Sequence, residues 1–161
     1  MAILAVLAVA LPIVAGFGLL LLNLTDRKQR QIYVMACLLA GVALSLVVFW
    51  CGTGPWELIA FGARVSFSLG VDTLGRIFGT MAALLWIPST VYAFEYMKHE
   101  GAEVRFFAFY LMSFGVTMGI ALSANPITLF FFYECLTLTT LPLVMHAMDG
   151  RARYAGKLYV A

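Results

Sequence analysis

The sequence predicts an all-α polytopic membrane protein with five transmembrane helices and the start of a sixth. Three observations carry this. The 161 residues are 63% hydrophobic and 11% charged, with a mean hydropathy of +0.98, whereas a soluble domain is nearer half apolar and a quarter charged. So small a chain has too little interior to hide that excess, which must face lipid. The apolar residues also fall into runs of about 20, the length of helix that crosses a bilayer. Finally, short polar clusters separate the runs.

The expected spans are Ala2–Leu24, Ile32–Trp50, Asp72–Met97, Phe106–Ala124 and Pro126–His146, with a further apolar run from Tyr154 to Ala161. The first lacks a basic leader and is longer than the apolar stretch of a secretory signal, so it reads as a membrane span. Thr25 to Arg30 follow the first span, and Lys98 to Arg105 follow the third. Between the fourth and fifth stands Asn125-Pro126, a favoured N-cap followed by a favoured first helical residue, which reads as a tight turn. The longest connection, Cys51 to Val71, ends in Val65-Ser66-Phe67-Ser68-Leu69-Gly70-Val71. Its period-two alternation suggests a short extended segment, half of a hairpin lying against the membrane surface.

Charge sets the expected orientation. Arg27, Lys28, Arg30, Lys98, Arg105, Arg151, Arg153 and Lys157 follow odd-numbered spans, and only Arg64 and Arg76 fall on the other side. The positive-inside rule then puts the N-terminus outside. Gly75/Gly79 and Gly115/Gly119 each place two glycines on one helix face, a spacing that allows close helix packing. The net charge of +2 is too small to suggest a nucleic-acid partner. Cys37, Cys51 and Cys135 form no paired or metal-binding pattern, so neither a disulfide framework nor a metal site is expected.

Glu134 is the residue most open to chemistry. It lies eight residues beyond Pro126, about 12 Å along the fifth helix, well inside the hydrocarbon. Placing a carboxylate there costs about 2.5–3.5 kcal/mol on insertion scales. An apolar surround disfavours the charged form, so the group is poised to take up and release a proton. The alternative is a protonated glutamate acting as interhelical glue. Pro142 has no N–H, which frees the carbonyl of Leu138 one turn from Glu134, and Thr137 adds a hydroxyl at i+3. Together these mark a place for water, although prolines also bend membrane helices without further role. His146, at the end of the same helix, is either a proton relay or an interfacial residue. Arg76 can snorkel to the headgroups, and Glu95 sits beside Tyr92 and Tyr96 in an expected aromatic belt. No nucleotide loop, nucleophile–base pair or haem motif is present, and no cofactor is expected.

Phe67 to Val160 resembles the antiporter-like membrane subunits shared by respiratory complex I (NADH–quinone oxidoreductase), Mrp-type sodium/proton antiporters and membrane-bound hydrogenases. The likeness is carried by Phe67-Ser68-Leu69-Gly70-Val71-Asp72-Thr73-Leu74, Tyr92 to Tyr96, Arg105-Phe106-Phe107-Ala108-Phe109-Tyr110, Leu129-Phe130-Phe131-Phe132-Tyr133-Glu134 and Ala155-Gly156-Lys157-Leu158-Tyr159. The resemblance implies that Glu134 corresponds to the family's channel glutamate, which works with a lysine on a later helix. It implies residues 1–66 as leading helices and an outer loop, and 67–161 as the start of a proton-conducting domain. Family members have some fourteen helices, and this chain lacks the channel lysines. It therefore matches only the N-terminal part, as a piece of a longer product or with a partner chain supplying the rest.

The expected function is proton or sodium translocation in a redox-driven or antiporter complex, with Glu134 as the intramembrane carrier. Other membrane subunits and the lipid bilayer are the expected partners, and a bacterial or archaeal plasma membrane is the expected location. The rival reading is a small membrane interaction or assembly protein without an ion path of its own.

Overall fold

A backbone inside hydrocarbon must satisfy its own hydrogen bonds, which leaves an isolated apolar run little choice but a helix. In the computed structural model, which describes residues 1–22, 26–60, 66–98 and 102–144, five helices form: α1 (Ala2–Leu21), α2 (Arg27–Cys51), α3 (Thr73–Tyr96), α4 (Glu103–Ala121) and α5 (Pro126–Val144). All five are long and apolar enough to cross a membrane, and the chain is an integral membrane protein. The expected sixth run and His146 lie outside the described residues.

The helix limits differ from the hydropathic ones where polar residues form a helical turn. α2 starts at Arg27 rather than Ile32 because the Asp26 side chain accepts a hydrogen bond from the Lys28 amide at 3.1 Å. α4 likewise starts at Glu103, an acid in its first turn, where the helix dipole favours negative charge. Asp72 caps α3 through the Gly75 amide at 2.6 Å.

Between α2 and α3 the chain makes an antiparallel hairpin, β1 (Gly54–Ala60) and β2 (Ser66–Val71). β2 is the expected extended segment, and β1 is its unforeseen partner. Gly54, at φ +81°, makes the turn out of α2 in a region where a side chain would be strained. The pairing runs from Gly54 opposite Val71 to Ala60 opposite Ser66, and a shift between Glu57 and Ile59 leaves Leu58 without an opposite residue. On its other edge β2 is stitched to the α4–α5 turn. The Gly70 amide donates to the Leu122 carbonyl at 2.7 Å, and the Ala124 amide donates to Ser68 at 3.1 Å.

α4 is the most buried span and α5 the least. α1 packs more extensively on α4 than any other helix pair does, and α2, α3 and α5 also touch α4. Lipid tails are as apolar as leucine, so association must come from close contact and hydrogen bonds rather than from escape from water. Glycine supplies the close contact. A Cβ at Gly16 would lie 2.5 Å from the Ala108 carbonyl oxygen, and one at Gly115 would lie 2.6 Å from that of Val9. The two spaced glycine pairs do pack, but each divides its contacts. Gly75 meets the Ala121 backbone on α4 and Gly79 the Phe49 ring on α2, while Gly115 meets α1 and Gly119 the Phe132 ring on α5.

Gly115→Val should therefore force α1 and α4 apart, at a cost of about 1–3 kcal/mol or more. Phe17→Leu, on the exposed side of α1, should stay within about 0.5 kcal/mol. Thermal unfolding of both variants in detergent checks the difference.

Candidate functional site

The sequence of α5 divides it into two faces. Thr128 and Phe132 are buried, and Cys135 and Leu136 pack partly against the core. Phe132 reaches the gap left by Gly119, while the Phe67 ring of β2 stands 5.4 Å from that of Phe131 and 5.6 Å from that of Phe132. The opposite face carries Ile127, Phe130, Tyr133, Glu134 and Leu138, all exposed. Glu134 therefore points away from the other four helices. No hydrogen bond or ion pair joins its carboxylate to another described residue.

The structure brings two of the expected site residues to this face. Leu138 is 68% exposed and stands one turn beyond Glu134, as i,i+4 spacing requires. Its carbonyl lacks the usual i+4 amide donor because residue 142 is proline. The threonines use their hydroxyls on their own helix. Thr137 donates to the Tyr133 carbonyl at 3.3 Å, Thr139 to that of Leu136 at 3.1 Å, and Thr140 to that of Leu136 at 2.8 Å. Among the duller residues, Glu95 pairs with Lys98, and Tyr92 stacks on Tyr96 with ring centroids 6.3 Å apart.

Two polar clusters are not legible in the sequence pattern. At the end of the bundle opposite the hairpin, Glu103 pairs with Arg30 and lies 3.4 Å from Arg27. Arg27 also donates to the Phe94 carbonyl at 3.0 Å, in the last turn of α3. One acid and two bases thus join the starts of α2 and α4 to the end of α3, and Arg30 is only 7% exposed. From the sequence these arginines are only orienting charges. The i,i+3 placement of Arg27 and Arg30 on one helical turn is the available signal. Inside the bundle, Tyr110 of α4 donates to the Ser89 hydroxyl at 2.9 Å and accepts from Thr90 at 3.3 Å, while Thr90 also bonds the Trp86 carbonyl at 2.8 Å. This cluster joins α3 to α4 beside Pro88, in a region whose sequence reads as plain apolar span. No group of three or more His, Cys, Asp or Glu residues comes together to hold a metal among the described residues.

No family model matches the chain. It is 26% identical over 153 residues to NAD(P)H-quinone oxidoreductase chain 5 from Synechocystis sp., covering 86% of this chain and 22% of that one. It is 28% identical over 126 residues to a probable K(+)/H(+) antiporter subunit from Rhizobium meliloti, covering 67% and 13%. The chain thus spans less than a quarter of the length of either relative. Its fold superposes with a TM-score of 0.77 and 17% identity on a chain of the membrane-bound sulfane sulfur reductase, an archaeal respiratory membrane complex, covering 97% of this chain and 33% of that one. The resemblance read from the residues is borne out: the chain's homologues are quinone oxidoreductase and antiporter subunits.

The charged cluster yields a stability prediction. Arg30→Leu leaves the half-buried Glu103 with Arg27 alone, at 3.4 Å, among the described residues, and should cost about 1–3 kcal/mol. The double variant Arg30→Leu/Glu103→Leu should recover part of that loss, because it removes both charges together. Unfolding midpoints in detergent for the single and double variants provide the comparison.

Proposed function

We propose that this homologue of the antiporter-like subunits works as a proton- or sodium-translocating membrane subunit of a redox-driven or antiporter complex. Glu134 is its intramembrane proton carrier. One observation carries the reading: a carboxylate within α5, a helix long and apolar enough to span a membrane, on the face turned away from the other four helices. A charge held there needs a partner, and no described residue supplies one. A lysine or other cation from outside the described residues would favour the charged form of Glu134, and its withdrawal would favour the neutral form. Alternation between these states takes up a proton from one side and releases it to the other. The chain itself carries no redox centre in this scheme. The energy arrives from other membrane subunits of the complex, and residues 67–161 begin the conducting domain.

Leu138, with its freed carbonyl on the same face, supports a water-lined approach to Glu134. Thr137 and Pro142 shape the helix there, and His146, which lies outside the described residues, is the supporting proton relay of this reading. The membrane is a bacterial or archaeal plasma membrane. The N-terminus lies outside, so the Arg27–Arg30–Glu103 cluster faces the cytoplasm and the hairpin faces the exterior.

Glu134→Gln keeps the size and hydrogen-bonding capacity of the side chain but cannot ionise. It should abolish proton flux in vesicles reconstituted with the complex, with abundance and assembly on a native gel nearly unchanged. Glu134→Asp should retain part of the flux. Full flux in a normally assembled Glu134→Gln complex would reduce Glu134 to a hydrogen-bonding residue and leave the transport reading resting on the resemblance alone.

The orientation has its own test. Reporter domains fused after Arg30 or Arg105 should read as cytoplasmic, and one fused near Trp56 as external. The reverse pattern would overturn the orientation.

A further inference from the structure

α5 is the least buried span, and its contact with α4 is largely apolar. Phe132 seated at Gly119 holds part of that contact, but apolar packing carries no directional bond that fixes a rotation. Yet a carrier on that helix must keep a fixed direction. With side-chain ends about 5–6 Å from the helix axis, a turn of about 20° displaces the Glu134 carboxylate by roughly 2 Å, more than a hydrogen bond tolerates.

The first turn of α5 carries the means to fix it. The Asn125 Oδ1 accepts from the Thr128 amide at 2.8 Å. The Asn125 Nδ2 donates to the Ser66 carbonyl at 2.6 Å and to the Ser68 hydroxyl at 2.8 Å. The Ser68 amide donates to the Thr128 hydroxyl oxygen at 3.1 Å, and the Thr128 side chain is fully buried. Both amide donors and the oxygen of Asn125 are thus engaged with named partners. Hydrogen bonds are directional, and in a buried site their loss leaves unsatisfied groups. The lock lies at the hairpin end of α5, about 9 Å along the axis from Glu134.

We propose that Asn125 and Thr128 are positioning residues for Glu134: with Ser66 and Ser68 of β2 they fix the depth and rotation of α5, and so the direction its carboxylate faces. The proposal rests on the reading of Glu134 as the proton carrier. The hairpin then supplies a directional reference for α5, beside the steric contact of Phe132 at Gly119. Asn125→Asp keeps the cap acceptor but loses both donors. Thr128→Val loses the hydroxyl acceptor, whereas Thr128→Ser retains it.

The test uses the assembled complex with Cys37, Cys51 and Cys135 replaced by alanine and spin labels at Tyr92→Cys on α3 and Phe130→Cys on α5. The inter-label distance distribution should broaden or shift in Asn125→Asp and Thr128→Val and keep its original form in Thr128→Ser. In the same variants without labels, proton flux should fall about tenfold or more in the first two and be retained in Thr128→Ser. The pH of half-maximal flux in the impaired variants should move as the surroundings of Glu134 change. An unchanged distance distribution in Asn125→Asp and Thr128→Val overturns the proposal. So does a displaced α5 with full flux at an unchanged pH profile. The distance measurement does not depend on Glu134 ionising, so its failure is distinguishable from failure of the Glu134→Gln test.

Discussion

The contact between α1 and α4 sets the frame of this molecule. Gly16 and Gly115 let each helix touch the backbone of the other, at Ala108 and Val9. Without a gain from excluding water, helices in lipid are held by such close contacts and by hydrogen bonds between them. Once α1 occupies one side of α4, the remaining faces of α4 receive the others. Gly41 leaves room on α2 for both Pro12 of α1 and Phe114 of α4, and Gly119 leaves room for Phe132 of α5. Trp86 of α3 then fits with its ring 5.5 Å from those of both Tyr110 and Phe114.

Polar groups fix the two ends, where hydrogen bonds and charge are less costly to place. At one end Glu103 sits between Arg27 and Arg30, and Arg27 also takes a carbonyl from the last turn of α3. That carbonyl would otherwise be one of the unpaired acceptors of a helix end. At the other end the α4–α5 turn extends the hairpin sheet, and Asn125 joins α5 to β2. Three helix starts and one helix end are therefore held by side chains distant in sequence.

α5 stands apart from this arrangement. Its inner face is anchored by Thr128 and Phe132, while the rest of its surface is largely open. The threonine hydroxyls beyond Glu134 return to backbone carbonyls of α5, which keeps them from competing for the carboxylate. Glu134 and Leu138 thus share an apolar face with one acid and one freed carbonyl.

Sequence by itself determined the number and order of the five described spans, because transfer from water to hydrocarbon is a property of each run of side chains and needs no neighbour. It also determined the Asn125 cap and the extended strand at Phe67, since each depends on residues a few positions apart. Tertiary structure decided the rest. A five-helix hydropathy pattern is the same whichever way each helix is rotated, so it could not say that Glu134 faces outward or that each glycine pair serves two neighbours. Nor could it join Arg27 and Arg30 to Glu103, or Asn125 to Ser66. Those contacts link residues 59 to 76 positions apart, and they form only where helix packing brings distant segments within reach.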